Sequence, residues 1–249
     1  MLHREQAPYL VGGAYAFERY TGVARHSKDF DIFVRQRDAE RVLCALATLG
    51  CHTEVTFPHW LGKAIRGKDF VDVIYASGNG VAVVDDLWFE HATRSRVLGV
   101  DTLLIPAEEM IWSKAFIMER ERFDGADVAH ILHARADQLD WERLMWRFDR
   151  HWRVLYAHLV LFGFIYPGER TRIPRSVLRR FAADLDRECA AASEEVTLCQ
   201  GTILSREQYL PDLQRGYEDA RRRDDIQMTD DDIALWTAGI ATDGAGVQR

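Results

Sequence analysis

The stretch of sequence that decides the fold covers residues 10–34. It opens with LVGG at residues 10–13 and closes with DFDIFV at residues 29–34. Side chains alternate between the two faces of a β-strand, so Asp29 and Asp31 share one face while the apolar residues at 30, 32 and 34 take the other. About 7 Å separates the Cα atoms of two such residues. The stretch therefore predicts a strand with one apolar face and one face that carries two carboxylates.

This pair of carboxylates predicts a metal site. Two carboxylates at this spacing can hold a hard divalent cation, whereas buried charge without a partner is costly. Asp72, in the middle of an otherwise apolar strand, is the predicted third carboxylate. We expect Asp29, Asp31 and Asp72 to bind Mg²⁺ or Mn²⁺, as in metal-assisted nucleotidyl transfer. The alternative for the first two is a solvent-facing edge, paired with Lys28 or Arg25.

Four further residues are predicted to meet phosphate groups. Gly12 and Gly13 lie where a strand passes into a helix, and glycines there leave backbone N–H groups open to a phosphate; a tight turn is the alternative. Ser27 is predicted to join them at the phosphates. Lys114 lies within the apolar stripe of a predicted helix, so its ammonium either reaches triphosphate charge or extends to the rim of the stripe.

Asp124 and Asp127 form a second acidic pair, predicted to contribute to nucleotide binding. The alternative is that Asp124 caps the next helix and Asp127 reaches back to it. His130 and His133 lie three residues apart on that helix, but no matching Cys or His cluster accompanies them in the sequence. We therefore interpret the two histidines as packing or surface residues.

Composition narrows the function classes. A net charge of −7 argues against a surface that coats nucleic acid, which normally requires a basic face. The 4 cysteines are scattered without a CxxC pair, which favours reduced thiols over zinc ligation. The sequence shows neither a signal-peptide pattern nor an apolar run long enough for a membrane span. We expect a soluble, cytoplasmic protein with no membrane partner.

The pattern along the chain predicts an α+β fold, with a small mixed β-sheet core followed by an all-α C-terminal half. The predicted domains are 1–106 (α/β core), 107–225 (helical domain completing the site) and 226–249 (a tail expected to fray). Predicted strands lie at 54–57, 60–66, 69–76 and, as two short pieces, 96–105. Predicted helices lie at 38–50, 81–92, 106–123, 127–136, 141–166, 176–193 and 205–223, the last from a capping-box pattern at Ser205 and Gln208.

The combination of Gly12-Gly13, Asp29-Phe30-Asp31 and a later lone Asp72 resembles the DNA-polymerase-β-type nucleotidyltransferase superfamily. Residues 106–131 resemble, more narrowly, the Lys…Arg…Arg-Asp-x-x-Asp stretch of the AbiEii-like and MenT-like nucleotidyltransferase toxins and their bacterial relatives. Two features depart from the toxins: Phe123 stands where they have arginine before aspartate, and the loop between Gly13 and Asp29 is longer. The resemblance covers about residues 8–135.

The resemblance implies a role for each matching residue. It assigns Asp29 and Asp31 to metal, Asp72 to the third carboxylate, Lys114 to nucleotide phosphates and Asp124 or Asp127 to the later acidic motif. The implied activity is transfer of a nucleoside monophosphate from a nucleoside triphosphate to a hydroxyl of RNA, protein or a small molecule, with pyrophosphate released. An antitoxin-like protein partner is also implied.

Two other functions compete with nucleotidyl transfer. A nucleotide-binding module that senses or regulates without turnover would use the same phosphate site, but an intact set of three carboxylates argues against it. A metal-dependent phosphohydrolase would normally show histidine clusters, which this sequence does not have.

Overall fold

The computed structural model describes residues 7–25, 27–191, 196–226 and 228–239. The strands are β1 (Leu10–Val11), β2 (Asp29–Phe33), β3 (His52–Phe57), β4 (Leu61–Arg66), β5 (Asp69–Ile74), β6 (Thr93–Val97), β7 (Val100–Leu104), β8 (Leu198–Cys199) and β9 (Glu218–Asp219). The α-helices are α1 (Gly13–Thr21), α2 (Gln36–Ala47), α3 (Asp86–Glu90), α4 (Ala107–Ala115), α5 (Gly125–Arg135), α6 (Trp141–Phe148), α7 (Trp152–Ile165), α8 (Arg175–Ala190), α9 (Leu210–Gln214) and α10 (Asp230–Ala238).

The main sheet is mixed, which confirms the predicted α+β class. Among the described residues it has the strand order β3-β4-β5-β2-β1-β7-β6. The central pair β2 and β5 is parallel, and so is the pair β1 and β7. The pairs β3–β4, β4–β5, β1–β2 and β6–β7 are antiparallel. The acidic strand β2 therefore lies near the middle of the sheet, with paired strands on both sides.

One face of this sheet is buried beneath α2. Val42, Leu43 and Leu46 of that helix cluster with Ile32 of β2 and Val73 of β5, and all five side chains are buried. These strand residues occupy the apolar positions of the alternation, so the acidic positions of β2 and β5 belong to the opposite face. Burial of the apolar face thus fixes which side of the sheet carries the carboxylates.

Contacts among the described residues divide the chain into two compact units. One unit takes the residues up to Pro106 and those from Asp219 onward, and the other covers Ala107–Glu218. The sequence predicted a helical domain up to residue 225 and a tail thereafter. In the structure the returning segment forms α10, which has a capping box at Thr229 and a buried Trp236, and groups with the first unit. Residues 240–249, expected to fray, lie outside the described residues.

The second unit is helical and contains a buried ionic network. Glu109 on α4 is fully buried and accepts hydrogen bonds from Arg143 and Arg147 on α6, at N–O distances of 2.5 and 3.0 Å. Glu108 also pairs with Arg143, at 2.7 Å. Each charged group in the network has an opposite charge in contact, which offsets its desolvation. The network ties α4 to α6.

Several predicted helices are shorter in the structure than in the sequence-based prediction. The helix predicted at 106–123 ends at Ala115, and the one at 81–92 is reduced to α3. The helix predicted at 141–166 is interrupted by a 3-10 turn, Asp149–His151, where Asp149 has φ 40°. In the described part of the chain, no helix is long and apolar enough to cross a membrane.

The predicted helix at 205–223 is wrong. Within this range the described residues form the short helix α9, the short strand β9 and a 3-10 turn at Ala220–Arg222. Pro211 lacks an N–H and is tolerated only in the first turn of a helix, while Gly216 has φ +95°, which ends the helix. The Ser205 hydroxyl does accept a hydrogen bond from the Gln208 backbone N–H at 3.3 Å, so the capping pattern forms a turn without the helix.

Candidate active site

Three carboxylates of the first unit converge on the face of the sheet opposite α2. Asp31 on β2 and Asp72 on β5 are register partners in the parallel pair, and Asp29 lies two residues before Asp31 on the same face. One carboxylate oxygen from each of the three lies within 4.8 Å of the others. All three residues are half-buried. Within the described part of the chain, no other group of three or more acidic, histidine or cysteine side chains meets this distance.

Gly13 starts helix α1 directly against the Asp31 side chain. A Cβ built at Gly13 would lie 1.7 Å from Oδ2 of Asp31, and Gly13 has φ +53°. Gly12 donates its backbone N–H to the Asp31 carbonyl oxygen at 3.0 Å, which pins the start of the helix to the acidic strand. Both the steric contact and the left-handed backbone require glycine at position 13. The first N–H groups of α1, which have no partner within the helix, therefore begin beside a metal-binding carboxylate candidate.

Ser27 lies next to the first carboxylate. Its hydroxyl donates a hydrogen bond to Oδ1 of Asp29. The structure thus brings Ser27 to the acidic cluster, where the sequence predicted a phosphate contact. Of the alternative partners considered for the carboxylates, Arg25 lies over the ring of Phe17, 4.5 Å from its centroid.

Lys63 is a cluster residue that the sequence analysis missed. It lies on β4 in register with Asp72, and its Nζ is 2.9 Å from Oδ1 of that carboxylate. The turn at Gly67 contained the signal: a two-residue loop joining Arg66 to Asp69 fixes the register of the hairpin and so pairs positions 63 and 72. Burial raises the pKa of Asp72, the Lys63 ion pair lowers it, and the charge of Asp29 raises it, with a net upward shift.

The second predicted cluster forms within the helical unit. Lys114 on α4 pairs with Asp124 at 2.7 Å and with Asp127 at 2.8 Å. Arg122, also missed from sequence, donates two hydrogen bonds to Asp124, both at 2.8 Å. Burial would raise the pKa of Asp124, but Arg122 and Lys114 lower it to about 2. Asp124 occupies the N-cap position of α5 without a side-chain capping bond, so its carboxylate serves the cations instead.

Phe123 explains how the chain departs from the toxin pattern. It stands at the position of the expected arginine, is 51% exposed, and stacks on the ring of buried His158 at a centroid distance of 6.1 Å. The neighbouring Arg122 supplies the guanidinium that holds Asp124. On α5 itself, His133 packs against Tyr166, at a ring distance of 4.7 Å.

The acidic cluster fits a hard divalent cation. Its donors are carboxylate oxygens, which Mg²⁺ and Mn²⁺ prefer, and their separation allows them to share an ion. The cost of grouping three carboxylates on a half-buried surface gives a physical reason for a cation there. The cation in contact with the cluster in this structure is the Lys63 ammonium.

Comparison with known proteins gives distant structural likenesses. No family model matches the chain, and no curated protein matches it significantly. Nine chains of solved structures match. The lincomycin-bound lincosamide antibiotic adenylyltransferase LnuA shares 14% identity, covering 54% of this chain and 91% of its own, with a TM-score of 0.38. ANT(2")-Ia in complex with adenylyl-2"-tobramycin also shares 14% identity, covering 62% of this chain and 92% of its own, with a TM-score of 0.41.

A third likeness is to an antigenic nucleotidyltransferase-like protein from Paracoccidioides brasiliensis. It shares 17% identity, covering 69% of this chain and 86% of its own, with a TM-score of 0.43. Likenesses at these identities and TM-scores carry no argument about the activity of this chain.

Proposed function

We propose that the protein is a nucleotidyltransferase of the DNA-polymerase-β type, which moves a nucleoside monophosphate from a nucleoside triphosphate to a hydroxyl acceptor. The observation that carries this proposal is the convergence of Asp29, Asp31 and Asp72 within 4.8 Å, beside a helix that starts at Gly13. Ligands for a divalent cation and free helix N–H groups for a phosphate thus occur together.

The chain's own residues supply binding, positioning and proton transfer. Asp29, Asp31 and Asp72 hold Mg²⁺ or Mn²⁺, which when bound offsets the charge that develops on the transferred phosphoryl group. The acceptor oxygen bonds to the α-phosphorus, the bond from that phosphorus to the bridging oxygen breaks, and pyrophosphate leaves. Asp72 orients the acceptor hydroxyl and takes its proton, a role that suits a carboxylate whose pKa is raised by burial.

Phosphate binding falls to the start of α1 and to Ser27. The N–H groups that follow Gly12 and Gly13 favour negative charge because they have no partner within the helix and lie at its positive end. Ser27, beside Asp29, offers a hydroxyl at the same place. The family resemblance assigns Lys114 to the phosphates as well. Within the helical unit, Asp124 and Asp127 hold the Lys114 ammonium in one position.

The acceptor is a hydroxyl on RNA, protein or a small molecule such as an aminoglycoside. The resemblance to AbiEii-like and MenT-like proteins adds a toxin-like role with an antitoxin-like partner as the more specific form of the proposal. An experiment that leaves the acceptor open is therefore the most informative one.

The test is incubation of the purified protein with each α-³²P-labelled nucleoside triphosphate, Mg²⁺ and total cell extract, with separate RNA, protein and small-molecule fractions. We expect label in one fraction together with pyrophosphate release. Asp31→Asn is expected to lower labelling by more than about 100-fold, because it removes a charged metal ligand. Asp69→Asn is the matched control, since Asp69 is an exposed aspartate on the same strand as Asp72, and it should retain wild-type labelling.

The competing functions give different results in this experiment. Nucleotide binding without pyrophosphate release would identify a sensor module in place of an enzyme. Release of inorganic phosphate with no labelled acceptor would identify a phosphohydrolase. Equal labelling by wild-type protein and Asp31→Asn would refute the metal assignment.

A further inference from the structure

The Lys63 ammonium lies in the same cross-strand row as two of the three carboxylates. Register partners run from Lys63 on β4 to Asp72 on β5 and on to Asp31 on β2, so the three side chains share one face of the sheet. The Lys63 and Asp72 side chains are 26% and 13% exposed, and their ion pair is therefore partly screened from water. The Phe70 ring, with its centroid 4.8 Å from Nζ, also holds the ammonium in place.

This position gives the cluster a cation of its own. Three ionised carboxylates and one ammonium leave a charge of about −2, which a single divalent ion neutralises. An ammonium on Oδ1 of Asp72 also uses a lone pair that an ion would otherwise bind. Once one divalent ion is bound, the cluster has no net negative charge left to attract a second ion. A bound nucleoside triphosphate would supply that negative charge.

Glu54 provides a second place for the ammonium. It is exposed on β3 and in register with Lys63, so its side chain lies on the flank of Lys63 away from Asp72. Cross-strand partners have Cβ atoms about 5 Å apart, within reach of a lysine side chain. Lys63 therefore has a carboxylate on either side. If its ammonium moves away from Asp72, it can still pair with Glu54.

We propose that Lys63 is a built-in counter-ion that weakens divalent-ion binding to the free protein, so that full metal loading occurs together with the nucleoside triphosphate. This inference rests on the proposed function, because it assumes that the three carboxylates bind metal. Lys63 is thus a positioning residue that acts through Asp72. The protein avoids a fully charged metal site when no substrate is present.

The first test is the affinity of the nucleotide-free protein for Mn²⁺, measured by electron paramagnetic resonance and titration calorimetry. Lys63→Met removes the positive charge from the cluster and is expected to tighten Mn²⁺ binding by about tenfold. Lys63→Arg keeps the charge and should bind as the wild type does. Lys68→Met removes the same charge from the exposed hairpin turn, where solvent and salt screen it, and should also leave the affinity unchanged.

The second test is thermal unfolding of the same proteins in EDTA and in saturating Mn²⁺. Without metal, Lys63→Met leaves Asp72 without its ammonium partner and should unfold at a lower temperature than wild type. Mn²⁺ should then raise the unfolding temperature of the variant by more than it raises that of wild type, because tighter binding gives more stabilisation. Lys63→Gln replaces Lys63→Met in both measurements should the methionine variant fail to fold.

The outcomes separate this inference from the function on which it rests. Mn²⁺ binding by Lys63→Met that equals or falls below the wild-type affinity would overturn the counter-ion role, as would equal tightening by Lys68→Met. If neither the wild type nor Lys63→Met bound Mn²⁺, or if Asp31→Asn bound it as tightly as the wild type does, the proposed metal site and the counter-ion would both fail. Wild-type binding that Asp31→Asn abolishes keeps the metal site whatever Lys63 does.

Discussion

At the scale of single residues, the candidate site depends on close contacts that only certain side chains permit. Gly13 leaves room for the Asp31 carboxylate, and the ammonium groups of Lys63 and Lys114 each rest on an aspartate. These contacts explain the residue types through packing and charge, independently of any bound ligand.

Gly13→Ala is expected to abolish Mn²⁺ binding and nucleotide labelling. The new methyl group would overlap Oδ2 of Asp31, so either that carboxylate or the start of α1 must move. Gly67→Ala is the matched control, since Gly67 has φ +66° and no atom within 4 Å of an added Cβ. Both variants pay a backbone cost of about 1 kcal/mol, but only Gly13→Ala should lose metal, as measured by calorimetry. Equal metal affinity in the two variants would contradict the steric argument.

The stability contributed by Asp124 should depend on pH. Its pKa is lowered from 3.8 to about 2 in the folded state, so the contribution is complete above about pH 4 and is lost as the pH falls through about 2. At neutral pH we expect Asp124→Asn to lower the free energy of unfolding by ~2 kcal/mol.

Urea unfolding at pH 7 and pH 3 tests this dependence, because the difference in the free energy of unfolding between wild type and Asp124→Asn should be smaller at pH 3 than at pH 7. Asp137 is an exposed aspartate of the same unit. The difference in the free energy of unfolding between wild type and Asp137→Asn should be the same at both pH values. A gap of constant size would mean that the effect is not electrostatic.

Sequence alone was enough to group the acidic residues but not their cationic partners. The alternation of β2 and β5 places Asp29, Asp31 and Asp72 on the face opposite the apolar core, whichever strands intervene. Lys63 required the register of a hairpin, and Arg122 required the fold of the loop after α4. The binding and catalytic roles of these residues remain predictions, to be tested by the variants above.

At the scale of elements, the backbone departs from regular geometry where the chain must turn. Val97 and Val100 are register partners, so the loop between β6 and β7 consists of two residues, Leu98 and Gly99. Their φ values are 49° and 81°. Two positive φ values in a two-residue hairpin loop are typical of a type I′ turn, which favours Asn-Gly. Leucine at the first position is therefore strained, and its side chain is 71% exposed.

Leu98→Asn should stabilise the protein by about 1 kcal/mol, since asparagine tolerates the left-handed region that leucine avoids. The free energy of urea unfolding measures the change. Leu98→Ala removes the exposed side chain without this tolerance and should give no gain. Equal stabilisation by both substitutions would point to surface hydrophobicity in place of backbone strain.

The errors in the predicted helices have local causes. Apolar periodicity continues through residues 141–166, but Asp149 adopts a conformation that no periodicity encodes, and the helix splits there. The prediction of a helix at 205–223 gave more weight to the capping pattern than to Pro211 and Gly216. In the structure these two residues determine the backbone, and the helix is limited to α9. The predictions for β4 and β5 were closer because turn residues bound these two strands. β6 begins at Thr93, before the predicted residue 96, because its sequence has no apolar alternation, and the two-residue strands β8 and β9 were not predicted.

At the scale of the whole molecule, each of the two units has its own source of stability. The first packs α2 against the sheet. The second depends in part on Glu109, which is fully buried between Arg143 and Arg147. Every ligand of the candidate metal site belongs to the first unit.

Glu109→Ala is expected to lower the free energy of unfolding by about 3 kcal/mol, because two buried guanidinium groups would lose their partner. Glu142→Ala is the control, since Glu142 is 81% exposed and pairs with the exposed Arg180 at 3.2 Å, and its loss should leave stability unchanged. Urea unfolding measures both. Below its unfolding temperature Glu109→Ala should still bind Mn²⁺, and a loss of binding would contradict the division into units.

The return of the chain to the first unit sets an order for events on the ribosome. Trp236 of α10 packs against Gly78, where an added Cβ would lie 2.7 Å from the indole nitrogen, and Asp232 lies 3.5 Å from the ring of His59. Every strand of the large sheet is translated before this helix, and so is the entire helical unit. The first unit therefore lacks one of its elements until the helical unit has been translated. A chain that stops at residue 229 is expected to show faster limited proteolysis of the first unit than the full chain does, and equal rates would contradict a role for α10 in that unit.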